Sequence, residues 1–452
     1  MTLPDPVRFW ADRQPDAPAL VTTERAWTWA DLDARVSGTV RRLAGASPRI
    51  GVCAPTQPAL VVLILAALRA GGVIIPLSPR WPQPMIDRAR ERLELAAILT
   101  ESDLGALTEP GDVSGAPRDL QLDAPFTLVH TSGSTGTPKA ALHTVGNHVA
   151  SARGLMERFP LGPGDRWLLD LPLYHVGGLG VVMRCALAGA AMVLPESGMS
   201  THEAVRSLRP THASLVSTQL IRLLREDLEL ASLKLVLLGG SAFPPNVLDD
   251  ALARGLPIVM SYGMTEMTST ITSSTLPAER DALATSGTML PEREVRLSAS
   301  GEIEVRGPTL FAGYVDGDRL HRPVDAEGWF ATGDRGEMDE AGRLIVHGRI
   351  GNGFVSGGEN IQPEAIEAVL TALPEVASAV VVPVNDAEFG ARPVAFVQSA
   401  GPLLQPDALA TALRVRLPGF MIPVAFLPWE GPTGLKPDRR ALARDASSRE
   451  KR

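Results

Sequence analysis

The chain has 452 residues, room for two or more domains, and its 45% hydrophobic and 21% charged residues are the balance of a soluble globular protein. A formal net charge of −8 at pH 7 argues against nucleic acid or an anionic membrane as the main partner, although a local basic site remains compatible with it. Two cysteines, Cys53 and Cys185, both in apolar surroundings, form neither a disulfide framework nor a zinc pattern and read as buried small residues.

The N-terminal stretch MTLPDPVRFWADRQPDAPAL has no basic region followed by an apolar core, so it does not read as a signal peptide. The longest apolar run, Ala59–Leu68, is too short to span a bilayer. A cytoplasmic location without membrane insertion is the expectation. Residues 49–54 predict a strand, 57–70 a buried helix and 72–77 the next strand. Phe126–Val129 predicts another buried strand, which runs out into HTSGSTGTPKA at 130–140. Strand–helix–strand patterns return at 167–195 and at 211–263. Such units with short connections imply mainly parallel sheets covered by helices.

From about residue 285 the texture changes. Short strands with glycine turns at 287–297, 301–307 and 342–349 predict a small antiparallel or barrel-like unit. A boundary falls near 349–352, where Gly351 and Gly353 allow a hinge. Beyond it come a helix at 361–373, strands at 378–384 and 392–398, a helix at 406–417 and a polar, frayed tail. The expected fold is α/β: a large N-terminal domain (1–348) of parallel sheets with helices plus the small barrel-like β unit, a hinge (349–352), and a small C-terminal α+β domain (353–452).

The loop 131–139 has almost no side-chain bulk, and its lysine is one of only four in the chain, at 139, 234, 436 and 451. Backbone N–H groups, small hydroxyls and one ammonium suit phosphate oxygens. A flexible linker has the same composition, so the loop alone does not decide. It is not a Walker A motif, because Pro138 precedes Lys139 and Ala140 follows it. Ser261-Tyr-Gly-Met-Thr-Glu266 follows a strand directly, at the end where open α/β sheets place ligands. There Thr265 offers a hydroxyl and Glu266 a hard carboxylate for magnesium, though an isolated Thr-Glu more commonly starts a helix. Gly239-Gly240-Ser241 lets a flat ring lie against the backbone. Asp334, in Thr-Gly-Asp, suits either a ribose diol or the cap of a turn. Gly348-Arg349 stands at the boundary, and Lys436 alone would be a surface lysine.

In this order the segments resemble the adenylate-forming superfamily of acyl-CoA synthetases, aryl-CoA ligases, luciferases and adenylation domains, over essentially the whole chain. A narrower similarity, to the o-succinylbenzoate–CoA ligases of menaquinone biosynthesis, lies in Pro172–Gly178, Thr211–Leu220, Arg335–Met338, Ser356–Glu364 and Asp386–Pro393. The resemblance implies an ATP-, magnesium- and CoA-using acid–thiol ligase acting on an aromatic dicarboxylate, with no nucleic-acid partner. It leaves open another aryl- or acyl-CoA ligase, a non-catalytic nucleotide-binding protein on this fold, and association into a homo-oligomer. It implies that Thr131, Ser132, Gly133, Ser134, Thr135, Gly136, Thr137 and Lys139 hold the triphosphate. Tyr262, Gly263 and 239–241 would flank adenine, Asp334 and Arg349 the ribose, and Glu266 the magnesium. Lys436, Thr265, Glu266 and His175 become the catalytic candidates.

The small domain is then expected to be a mobile lid that swings Gly357, Gly358 and Glu359 towards CoA. The superfamily usually has Asp or Lys two residues after the boundary arginine; Gly351 stands there instead. For the acid, His175, Ser217, Thr218, Gly263, Met264, Thr268 and Ser269 are expected to line the pocket. Arg222 is expected to read the ring carboxylate, while Arg184 reads as a solvated helix residue.

Overall fold

The computed structural model describes residues 1–113, 119–131, 139–226, 232–240, 243, 245–350, 353–401, 405–430 and 439–449. The apolar run at 58–70 shows how the chain builds its layers. Proline at its first turn fits the missing helical N–H, Gly71 ends it in the left-handed region at φ 72°, and helix Pro58–Ala70 is buried along Leu60–Leu68. It leads directly into strand Val73–Leu77, which pairs in parallel with Arg49–Cys53.

Two large sheets carry the first three quarters of the chain. One has seven strands, with Arg49–Cys53, Val73–Leu77 and Ile98–Thr100 in parallel and the antiparallel pair Pro125–Thr131 and Lys139–Thr144 beside them. The other has nine strands, with a parallel centre of Ile258–Met264, Leu235–Leu238, His212–Leu215, Arg166–Leu168, Ala191–Val193 and Pro18–Val21. A four-stranded antiparallel sheet of Glu294–Leu297, Glu302–Arg306, Phe330–Met338 and Leu344–Arg349 follows, as the short glycine-punctuated strands predict. From Phe354 onward the chain closes its own apolar clusters around the sheet Val376–Asp386, Gly390–Ser399 and Ala425–Pro428.

Three local differences from the sequence reading matter for the site. Lys139 does not sit inside the glycine-rich loop but opens strand Lys139–Thr144, and its cross-strand partner is Thr131. The strands on either side of 132–138, Pro125–Thr131 and Lys139–Thr144, pair antiparallel. The first strand of the 211–263 pattern stops at Leu215, and Ser217 begins helix Ser217–Leu224 because the Gln219 side chain accepts the Val216 N–H at 3.0 Å. Ile361 belongs to strand Glu359–Ile361, and Pro363 opens the helix behind it.

Candidate active site

The YGMTE segment forms a corner between the sheets. Strand Ile258–Met264 ends, a single 3-10 turn Thr265–Met267 follows, and strand Ser269–Ser273 returns antiparallel. The return is so close that a Cβ on Gly263 would lie 2.1 Å from the Ser269 carbonyl oxygen, so no larger residue fits there. Thr268 and Ser269 have φ of 51° and 103°, a left-handed backbone that residues with side chains seldom adopt. Such strain persists only where surrounding contacts over-determine it. Here they do: Ser151 Oγ donates to the Thr268 carbonyl at 2.6 Å, Thr268 Oγ1 donates to the Thr309 carbonyl at 2.8 Å, and Phe311 N–H donates to the Glu266 carbonyl at 2.8 Å.

A buried histidine pair supports the same corner. His143 Nε2 lies 2.8 Å from the Thr265 carbonyl, which can only accept, so the proton sits on Nε2. His143 Nδ1 then accepts from Thr127 Oγ1 at 3.1 Å, and that hydroxyl accepts from His148 Nε2 at 2.9 Å. Burial drives both imidazoles towards the neutral form, His143 down to about 4 and His148 well below its ordinary value.

Facing this corner, Glu266 is 7% exposed and its Oε1 accepts from the Tyr314 hydroxyl at 2.6 Å. The ring of Tyr314 carries Lys139 Nζ 4.9 Å from its centroid. Tyr262 donates through its hydroxyl to Asp334 Oδ2 at 2.7 Å, and Asp334 pairs across the strands with Arg349, whose side chain lies outside the described part. Glu266 Oε2 has no hydrogen-bond partner among the described residues. No group of three or more His, Cys, Asp or Glu among those residues could cage a metal. One oriented carboxylate with a spare oxygen fits magnesium, which binds through one or two carboxylates plus substrate phosphates.

His175 sits just ahead of helix Val176–Ala188, with Nε2 3.2 Å from Glu359 Oε2. Arg80 holds the other oxygen of Glu359 at 2.8 Å and also donates to the Tyr174 hydroxyl. Burial pushes the Glu359 carboxyl up, but His175 and Arg80 outweigh it and hold it below the ordinary glutamate value. The neighbouring Gly358, at φ 85°, lies against Val216, where a Cβ would approach Cγ1 to 3.1 Å. Gly240 faces that same Val216 methyl, and Ser217 and Thr218 are buried just beyond it. Gly239, also at this strand end, lies against the Ser261 side chain. Segments far apart in sequence thus meet at one place.

The two arginines differ in burial from what was expected of them. Arg222 is 58% exposed and forms an ion pair with Glu388, away from any buried surface. Arg184 is not solvated but 2% exposed, its guanidinium carbon 4.4 Å from the centroid of the Trp167 ring. Its Nε is buried without a hydrogen-bond partner, and it pairs with no carboxylate among the described residues. Burial brings it down to about 10. The signal was present in the sequence: VVMRCALA is apolar all round, whereas TQLIRLL has a polar face for Arg222. Sequence reasoning missed Tyr314 and His143 altogether. Ser132–Thr137, Ser241, Gly351 and Lys436 lie outside the described residues.

Residues 7–315 match the family model for AMP-binding enzymes and 365–430 that for the AMP-binding enzyme C-terminal domain. The chain is 38% identical to 2-succinylbenzoate–CoA ligase of Salmonella typhimurium across 98% of both chains, and 31% identical to the Bacillus cereus protein of that name across 90% of this chain and 91% of that one. Among solved structures, o-succinylbenzoate CoA synthetase (MenE) from Bacillus subtilis bound with a product analogue, OSB-NCoA, superposes with a TM-score of 0.88 at 26% identity over 98% of this chain and 99% of that one. The same protein with ATP and magnesium gives 0.72 at 27% identity, over 95% and 96% of the two chains. The chain belongs to the AMP-binding enzyme family, with a large N-terminal and a small C-terminal part.

Proposed function

We propose that this chain is an ATP- and magnesium-dependent 2-succinylbenzoate–CoA ligase that forms an acyl-adenylate and then a CoA thioester, the activity named for full-length relatives at 30–38% identity. A carboxylate is a poor electrophile, so the acid first attacks the α-phosphate of ATP and pyrophosphate departs; the CoA thiol then displaces AMP. No protein nucleophile is needed. The protein must bring anions together and place cations and donors where charge develops. Lys139 and the rest of the loop 131–139 take the triphosphate, Thr265 offers its hydroxyl, Asp334 and Arg349 take the ribose, and Tyr262 with 239–241 takes the adenine. Glu266 holds magnesium, which neutralises triphosphate charge when bound. Lys436 bridges the reacting carboxylate and the α-phosphate.

The observation that carries the choice of acid is Arg184. A guanidinium buried in an apolar helix without a carboxylate is costly unless an anion joins it. Helix Val176–Ala188 starts at His175 and packs on strand Ser269–Ser273. The charge of Arg184 is felt by Arg293, which donates to the Thr270 and Ser151 carbonyls behind the 268–269 wall. A dicarboxylate whose succinyl end reacts brings a second anion, the ring carboxylate, and Arg184 takes the role expected of Arg222.

Residues 353–452 act as a lid turning about 349–352. The higher TM-score with the CoA-product-analogue complex than with the ATP complex of one Bacillus subtilis protein, 0.88 against 0.72, supports a lid placed here for thioester formation. The contacts of Gly358 and Glu359 with Val216 and His175 agree with that placement. Thioester formation measured across 2-succinylbenzoate, benzoate and fatty acids, with pyrophosphate exchange alongside, tests the reading. Equal rates on benzoate and 2-succinylbenzoate would refute the dicarboxylate.

A further inference from the structure

Lys139 opens a strand and Glu266 lies in the 3-10 turn, 127 positions apart by residue number, yet one side chain touches both. Tyr314 lies on strand Gly313–Asp316, which pairs antiparallel with Lys139–Thr144 so that Tyr314 faces Ala141. Lys139 is two residues from Ala141, hence on the same sheet face and diagonal to Tyr314, within reach of a large ring. The ammonium lies 4.9 Å from the ring centroid. At the far end of the same ring, the hydroxyl donates to Glu266 Oε1 at 2.6 Å. The segment carrying Tyr314 also grips the Glu266 backbone, through Phe311 N–H.

We propose that Tyr314 is a positioning residue that sets the phosphate-binding lysine and the magnesium-binding carboxylate at a fixed separation, its ring seating Lys139 and its hydroxyl holding one oxygen of Glu266 so that the other faces the metal. Phosphates and metal must be met together, because magnesium bridges the carboxylate to the nucleotide. A ring shared by both protein groups turns two independent side-chain placements into one. A donor fixed on a ligating carboxylate also orients it, and loss of such a partner typically lowers metal affinity or activity about tenfold to a hundredfold. The inference rests on reading Glu266 as the magnesium ligand.

Calorimetry of ATP binding without acid, in magnesium and in EDTA, separates the parts. Tyr314→Phe keeps the ring and removes the hydroxyl: the gain in ATP affinity on adding magnesium should shrink about tenfold to a hundredfold, with affinity in EDTA unchanged. Tyr314→Leu removes both, and affinity in EDTA should fall a further threefold or so as Lys139 loses its seat. Glu266→Gln is the control for the underlying reading. If it keeps the magnesium gain, the ligand assignment fails; if it loses the gain while Tyr314→Phe retains it, the role of Tyr314 alone is overturned. A Leu variant that binds ATP in EDTA as well as the Phe variant overturns the seating of Lys139. Should the Leu variant not fold, the Phe variant still decides the hydroxyl.

Discussion

The corner at 262–269 and the contact at 356–359 are held by opposite means. At the corner, three backbone carbonyl acceptors within four residues, those of Thr265, Glu266 and Thr268, each receive a donor from a different element: His143, the Phe311 N–H and Ser151. These bonds are neutral and directed at the backbone, and breaking one strands a polar group, at a cost of about 1–3 kcal/mol where it is buried. The lid is held by side-chain charge, Arg80 and His175 on Glu359 and Arg222 on Glu388, with both arginines about half exposed or more. A pair at the surface, such as Arg222 with Glu388, contributes about 0–1 kcal/mol. Under the proposed lid motion, one side would stay and the other would let go.

Substitutions can break or sharpen this contrast. The largest effect is expected at Lys436, the cation a departing lid would bring in for the first step. Lys436→Ala should slow adenylation by about a hundredfold to a thousandfold, as on loss of one transition-state donor. Thioester formation from supplied acyl-adenylate should suffer much less, and equal losses in the two half-reactions would contradict a swinging lid. Arg184→Met keeps the bulk of a buried side chain and removes its charge. Affinity for 2-succinylbenzoate should fall roughly tenfold to over a hundredfold, the cost of one charge-assisted contact. ATP affinity should stay within about twofold, a change too small to reflect a lost contact. Arg222→Ala, by contrast, should leave acid preference unchanged, and a shift there would restore it to the pocket.

His143→Leu probes the fixed side. Adenylation should fall about tenfold with the Thr265 carbonyl left to the Thr268 N–H alone. His143→Gln, whose amide can place a donor near the same point, should recover most of that rate; no difference between the two variants would show that the hydrogen bond does not position the corner. The detachable side should respond to acid. Glu359 is held below its ordinary 4.5, so its attraction to Arg80 is fully present above that pH and fades as pH falls through the lowered value. Small-angle scattering should report lid opening only in that acidic range if Glu359 is the tie. The smallest effect is expected from Arg222→Glu, a change of a few fold at most in the CoA step, reversed by Glu388→Arg in the same chain.

The alternating strand and helix runs were legible because apolar periodicity and glycine punctuation act over a few residues. So was the YGMTE corner, since its chemistry is written in one stretch. What stayed hidden depends on distant partners. Tyr314 becomes a site residue only through Glu266, 48 positions away, and His143 only through Thr265, 122 positions away. Nothing in GYVDGD or ALHTV announces either contact. Arg184 was misjudged for a different reason: it was weighed by nearness to a motif, while the apolar ring of neighbours around it already said that it was inside. Lys139 shows a third limit, since a glycine-rich stretch does not reveal where the returning strand of a hairpin begins.

The left-handed turn at Thr268 and Ser269 bears on how a pocket of this kind can change over generations. A wall whose backbone sits in a rarely populated region, with Gly263 pressed against it, tolerates few replacements, because most alter the turn before they alter the pocket. On the proposed acid site, change in the accepted acid would then fall on helices Val176–Ala188 and Ser217–Leu224, whose ordinary backbone lets side chains be exchanged one at a time. Lineages that share this corner can diverge in what they activate while keeping the place where they activate it.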